Sequence, residues 1–256
     1  MKSKKTKKFK NCLVVIMTYN NGIDLKKTLI KKKKFFPVDI LIYFDGSNDG
    51  SEKFIPINWH KRLHIIKAKK NIGIANSMKK IIKYARKKRY EYICFMPGNN
   101  KNNINVTINF FNKLIDHQLD YVQGSRFLKG GSFKNTPPTR IFLIKLFSMI
   151  FSIYFQKKCS DCSEGMRAYN LDILRNKKIN IFQRWLKNYE LESYLHYKIF
   201  ELNMKYGELP VKKIYKTNKY NFLFNPAGKK YTYIRPFFDW WNILKPYIYL
   251  SLKIKK

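Results

Sequence analysis

The chain has 256 residues, 45% apolar and 16% aromatic, with 53 Lys and Arg against 16 Asp and Glu for a formal net charge of +37. That length and apolar content allow a large core, most simply one domain plus an extension, and exclude a disordered chain. The charge excludes basic partners and favours anionic ones (nucleic acid, acidic lipid, phosphorylated metabolites), while abundant Lys, Asn and Ile together also follow from AT-rich coding DNA.

Residues 1–10 are basic without an apolar stretch, so they read as a cationic arm and not as a secretory signal. Strand and helix then alternate: strand 12–17, helix 24–34, strand 38–44, strand 63–67, helix 73–88, strand 92–96, helix 104–116 and strand 121–123. In the second of these helices Ile74, Met78, Ile81, Ile82 and Ala85 share one face with lysines opposite. Such alternation predicts a largely parallel sheet covered on both faces. The second half differs: a Gly/Pro-rich loop over 127–139, an apolar stretch over 141–155 interrupted by Lys145, a helix over 190–205 and a strand over 208–214. A polar loop at 216–231 precedes a tail at 235–256 in which Phe237, Phe238, Trp240, Trp241 and Tyr247 lie among Arg235, Lys245 and Lys253. No run reaches the ~20 apolar residues that span a bilayer, and 141–155 is expected to lie in the membrane interface.

Cys12 and Cys94 fall in core strands, where a thiol behaves as a small hydrophobe. Cys159 and Cys162 form a lone CxxC with no second ligand pair, so all four cysteines are expected to be ordinary reduced thiols in a reducing compartment. His60, His64, His117 and His196 fall outside every motif and are expected mostly at the surface.

The strand ends carry the chemistry. The apolar run 40–44 stops at an acidic, Gly/Ser-rich turn beginning Asp45-Gly46-Ser47, where open α/β sheets place ligand groups. Thr18-Tyr19-Asn20 precedes it; Asn71-Ile72-Gly73, Pro97-Gly98-Asn99-Asn100, Gly124-Ser125-Arg126, 161–167 and Glu208-Leu209-Pro210-Val211 follow in order. Over roughly residues 11–216 this series resembles the inverting family-2 glycosyltransferases of GT-A fold, in the branch of dolichyl-phosphate mannose synthase and bacterial polyprenyl-phosphate sugar transferases.

The resemblance implies an α/β, Rossmann-like, mostly parallel sheet flanked by helices over 11–216, after the arm at 1–10, with a loop and an amphipathic, membrane-contacting extension at 217–256. It implies that Thr18, Tyr19, Asn20, Asp45, Asn71, Gly73, Gly98 and Asn99 bind the nucleotide-sugar donor, with Arg140 at the spacing of a second phosphate-holding arginine. Arg126 and Arg167 match arginines that hold donor and acceptor phosphates, a task suited to a planar, permanently charged donor fork. Lys101 lies just beyond the fourth motif, Lys216 near a late basic position, and Glu192 matches an acidic position that orients the acceptor or acts as base. The family carries Asp-x-Asp at the fourth motif to hold Mg²⁺ or Mn²⁺; here Pro97 and Asn99 stand there. A hard cation prefers anionic oxygens, so metal binding is expected to be weaker or differently arranged, with cationic side chains replacing part of the ion's charge.

The expected function is inverting transfer of a sugar from a nucleotide donor to polyprenyl phosphate, or to a glycan intermediate, by a bacterial protein peripheral on the cytoplasmic face of the membrane. The alternative, prompted by Pro97 and Asn99, is an impaired protein that binds nucleotide sugar as sensor or scaffold. A nucleic-acid binder has only the charge in its favour. Oligomeric state, sugar and base have no sequence signal.

Overall fold

A computed structural model describes residues 8–56, 58–136, 138–215 and 238–256. Most of the expected arm, Lys216 and the loop and tail through Phe237 lie outside the described residues. The elements are β1 (Cys12–Thr18), α1 (Gly22–Leu29), β2 (Asp39–Phe44), β3 (Leu63–Lys67), α2 (Ile74–Lys87), β4 (Tyr92–Pro97), α3 (Thr107–Asp116) and β5 (Tyr121–Ser125), followed by β6 (Ser132–Lys134), α4 (Pro138–Phe155), β7 (Arg167–Asn170), α5 (Glu190–Glu201), β8 (Tyr206–Pro210), β9 (Lys212–Ile214) and α6 (Phe238–Ser251).

Seven strands form one sheet in the order β3-β2-β1-β4-β7-β5-β8, and β6 pairs with β9 in a second, two-stranded sheet. All pairs are parallel except those of β7, which runs antiparallel between β4 and β5. Successive strand side chains point to opposite faces, which splits the core in two. Leu13, Val15, Leu41, Tyr43, Ile93 and Phe95 pack under α2, α5 and α6, whereas Val14, Ile16, Ile40, Ile42, Cys94 and Met96 pack under α1 and α3. The packing begins upstream of β1: Phe9 is buried in the second cluster and Lys8 pairs with Asp116 at 2.7 Å.

Three local departures have physical causes. α1 stops at Leu29, because four consecutive lysines repel one another at 31–34 and Pro37 demands extended chain before it. β7 was not expected: it is four residues long and opens on Arg167, too short to show an alternation. The single strand expected over 208–214 is two, since Pro210 ends β8 and the chain crosses to pair β9 with β6.

α4 is apolar and poorly covered. Of its 18 residues only Ile144, Ser148 and Phe151 are buried, while Phe142, Ile150 and Ile153 are more than half exposed. It is long and apolar enough to cross a membrane by length and composition. α6 buries Tyr247 and Leu250 in the first core cluster and leaves Trp241 and Ile248 exposed.

Candidate active site

The carboxyl ends of the parallel strands bring four of the expected motifs together. The Thr18 carbonyl accepts from the Asp45 amide at 2.9 Å, and the Met17 carbonyl accepts from the Gly98 amide at 2.8 Å. Asn20, at φ 50°, joins the first two loops: its amide donates to Ser47 Oγ (3.1 Å) and its Oδ1 accepts from the Asn48 amide (2.9 Å). Thr18 is buried with Oγ1 bonded to Asn21, and Tyr19 is exposed. Asp45 is spent on the third motif, with Oδ1 accepting from the Ile72 amide (3.0 Å) and Oδ2 from the Gly73 amide (3.1 Å). Gly46 and Gly73 both have positive φ, and a Cβ on Gly46 would stand 2.2 Å from the Asn71 nitrogen. Only glycine lets these loops close on one another.

Beside this rim a cationic cluster surrounds one aromatic ring. Lys101 Nζ lies 4.9 Å, Arg140 Cζ 5.3 Å and Lys213 Nζ 5.8 Å from the Tyr215 ring centroid, and Arg126 Nη1 donates to its hydroxyl at 3.2 Å. The ring's negative face is what lets like charges gather here. The Ile214 amide donates to the Lys101 carbonyl at 3.1 Å, tying the end of β9 to the turn after β4. Burial, with Lys213 and Arg140 adding repulsion, pushes the Lys101 ammonium down to about 8. Glu164, fully buried, accepts from Lys213 at 2.9 Å; burial would raise its carboxyl, but Lys213 and Arg126 more than offset that and hold it below the usual range.

Arg126 and Arg167 are both buried and fully engaged. Arg126 makes a fork to Asp161 (Nε–Oδ2 2.7 Å, Nη2–Oδ1 2.8 Å), with side chains 2% and 0% exposed, and also donates to Ser163 Oγ. Arg167 donates to the carbonyls of Glu164, Glu192 and Cys162 at 2.9, 2.8 and 3.0 Å. They hold the 159–167 loop against β5 and α5. Glu192 is half-buried, and burial pushes its carboxyl up in spite of Arg167 and Lys213. Lys213 and Tyr215, which complete the cluster, belong to no motif, and long-range contacts bring them here: the pairing of β9 with β6 and the bond from Ile214 to Lys101.

The sequence over residues 13–177 matches the glycosyl transferase family 2 domain. The chain belongs to that family. It is 23% identical over 203 residues to polyprenol monophosphomannose synthase of Mycolicibacterium smegmatis, covering 78% of this chain and 76% of that protein. Its fold resembles glucosyl-3-phosphoglycerate synthase of Mycobacterium tuberculosis, solved with Mn²⁺, UDP and phosphoglyceric acid, with a TM-score of 0.58 at 11% identity over 79% of this chain and 69% of that one. It also resembles S. aureus TarS (residues 1–349), with a TM-score of 0.54 at 16% identity over 80% of this chain and 60% of that one. The chain is therefore a glycosyltransferase with a GT-A-like α/β fold.

Against the metal that other members of this fold hold, the donor set at the fourth motif does not fit. Pro97 has no side-chain ligand atom, and the Asn99 oxygen is neutral and already accepts from the Lys101 amide at 3.3 Å. Buried Asn100 and Asn102 oxygens without partners nearby are neutral amides too. Both Asp45 oxygens serve main-chain amides, and Glu164 serves Lys213. A hard divalent ion would find no uncommitted carboxylate among these residues.

The histidine expectation fails at one position. His196 is 0% exposed, enclosed by Phe151, Phe200 and Tyr247 and bonded through Nδ1 to Tyr247 at 2.8 Å. Its polar atoms are satisfied inside the core, which removes the cost that normally keeps a histidine out.

Proposed function

We propose that the chain transfers a sugar, with inversion, from a nucleotide-sugar donor to polyprenyl phosphate at the cytoplasmic membrane surface, using cationic side chains where relatives use a metal ion. The observation that carries this reading is the position of Arg140. It lies in the first turn of α4, over Tyr215 and beside Lys101, so the helix with the exposed apolar face begins at the cationic cluster. A lipid whose tail is taken up beside α4 would present its phosphate there.

In this reading the loops of Thr18, Tyr19, Asn20, Asp45, Asn71, Gly73, Gly98 and Asn99 bind the donor. Lys101, Arg140 and Lys213 face the donor diphosphate and the acceptor phosphate. The acceptor oxygen, already anionic near neutral pH, attacks the anomeric carbon as the bond to the nucleoside diphosphate breaks, so no proton need be removed. The cations stabilise charge as it builds on the departing diphosphate. Arg126 and Arg167 act through the loop they hold, with Arg126 also fixing Tyr215.

A second reading, with a glycan hydroxyl as acceptor, draws on Glu192, whose raised carboxyl suits a general base. The deciding experiment is a donor panel scored by thermal shift, with Mn²⁺ and with chelator, followed by mass spectrometry of the product formed with polyprenyl phosphate vesicles. A glycosyl-phospholipid made equally well in chelator supports the proposal. A glycan product alone moves the assignment to Glu192. Donor binding without any transfer identifies a sensor, and no donor binding ends the site assignment.

A further inference from the structure

On the α5 face of the sheet, Cys159, Cys162 and His196 come together with their ligand atoms within 4.8 Å of one another, all buried. Cys159 Sγ lies 3.4 Å from Cys162 Sγ and 3.7 Å from His196 Nε2. Ligands on a tetrahedral zinc ion, with Zn–S of about 2.3 Å and Zn–N of about 2.0 Å, stand roughly 3.5–3.8 Å apart. Two edges thus match to within a few tenths of an ångström, and the third needs a shift of no more than about 1.3 Å.

The surroundings orient these groups. His196 Nδ1 meets Tyr247 Oη at 2.8 Å, and the ring stacks on Phe151 at 4.7 Å, which turns Nε2 toward the thiols. A second partner on the far nitrogen is the usual support of a ligating histidine. The main chain of the CxxC turn is pinned by two α4 hydroxyls, with the Cys159 amide donating to Ser152 Oγ (2.9 Å) and the Cys162 amide to Ser148 Oγ (3.1 Å). Two thiolates, one neutral imidazole and Zn²⁺ carry no net charge, which suits a buried site beside the Arg167 guanidinium, and sulfur ligands disfavour Mg²⁺ and Ca²⁺.

We propose that Cys159, Cys162 and His196 form a buried zinc site with three side-chain ligands that fastens the loop carrying Asp161 to α5 and, through Tyr247, to α6. Zn²⁺ replaces the two thiol protons, which pass to water, and coordinates the lone pair of Nε2 while the Nδ1 proton stays on the bond to Tyr247. No fourth His, Cys, Asp or Glu joins the group among the described residues, so a water or main-chain oxygen completes the shell. The ion would stiffen the loop whose Asp161 holds Arg126, without touching substrate.

The test uses the full chain, made in zinc-supplemented medium and purified without chelator, independently of any donor assay. Elemental analysis is expected to find about one zinc per chain, and less than a tenth of that in Cys159→Ser/Cys162→Ser. Refolding of the wild-type chain with Co²⁺ is expected to give a thiolate-to-cobalt charge-transfer band, a readout that stands even where the double variant does not fold. Tyr247→Phe is expected to keep the ion and weaken its affinity about 10- to 100-fold. Folded wild-type protein with neither zinc nor a cobalt band overturns the proposal, as do copper in place of zinc and zinc retained by the double variant.

Discussion

Lys101→Met is expected to make the protein more stable and a worse enzyme. The Lys101 ammonium is pushed from its ordinary 10.5 to about 8, first by burial and then by Lys213 and Arg140. At pH 7 it is charged in both folded and unfolded chains, so the whole cost of holding it charged is present. A shift of that size corresponds to about 3 kcal/mol, and roughly half once water contact with the partly exposed side chain is allowed for. Between pH 8 and 10.5 the unfolded chain binds more protons, so wild-type stability rises with pH across that window and the variant's advantage disappears. Methionine keeps the stem and removes the charge, so urea denaturation at pH 7 should show a gain of about 1–2 kcal/mol. Donor affinity should fall. In the wild type it should also fall about tenfold between pH 7 and pH 9 as Lys101 loses its proton, a dependence absent from the variant. A variant that loses stability, or binds donor as tightly and with the same pH profile, would refute the role given to this charge.

Asp161→Asn keeps the shape but breaks the fork on buried Arg126, leaving Glu164 at 3.5 Å as its remaining carboxylate, so urea denaturation should show a loss of about 3 kcal/mol. Gly46→Ala places a methyl 2.2 Å from the Asn71 nitrogen at a φ of 70°; it should cost more than about 1 kcal/mol and weaken donor binding in the same thermal-shift assay. Phe142, Ile150 and Ile153, 65%, 54% and 69% exposed, should each contribute about 1 kcal/mol or more to vesicle binding, so changing all three to Ser should lower vesicle partitioning at least 100-fold while the donor-induced shift stays unchanged. Unaltered partitioning would remove the membrane role of α4. Pro97→Asp/Asn99→Asp should create a donor-induced shift that grows with Mn²⁺ and collapses in chelator, where the wild-type shift ignores both.

The parallel strands were readable because burial on both faces leaves near-continuous apolar runs, and α2 because its stripe repeats at helical spacing. The strand-end loops that meet at the rim were readable because chains that close on one another need glycine and short polar side chains in local sequence. The cationic cluster was only half visible. Lys101 and Arg140 lie near motifs, whereas Lys213 is one of 53 basic residues and acquires meaning from a two-stranded pairing between segments some 80 positions apart, roughly the range at which local pattern carries no information. Arg126 stood out by its motif, but its partner Asp161 is 35 residues on, so nothing local told a buried strut from a phosphate clamp. The burial of His196 was hidden for the same reason, since it meets the CxxC turn only when α5 packs beside the loop that follows α4.

The loss of two carboxylates and the gathering of cations are one change when charge is counted by place. Two aspartates and a divalent ion sum to zero, so a site lacking all three keeps its net charge. What it loses is a centre of positive potential aimed at the diphosphate. Around Tyr215, Lys101, Arg140 and Lys213 stand against Glu164 and Asp24, since Arg126 is neutralised by Asp161; a surplus of one positive charge remains, half that of a divalent ion. Lys101 sits near 8 first because it is buried and then because Lys213 and Arg140 repel it, and in the proposed function an incoming phosphate is the partner it meets. Phosphate binding should therefore raise the Lys101 value and take up a proton above pH 8. Calorimetry of UDP binding in two buffers of different ionisation enthalpy would read that proton directly, and proton-neutral binding at pH 8.5 would mean the diphosphate lies elsewhere.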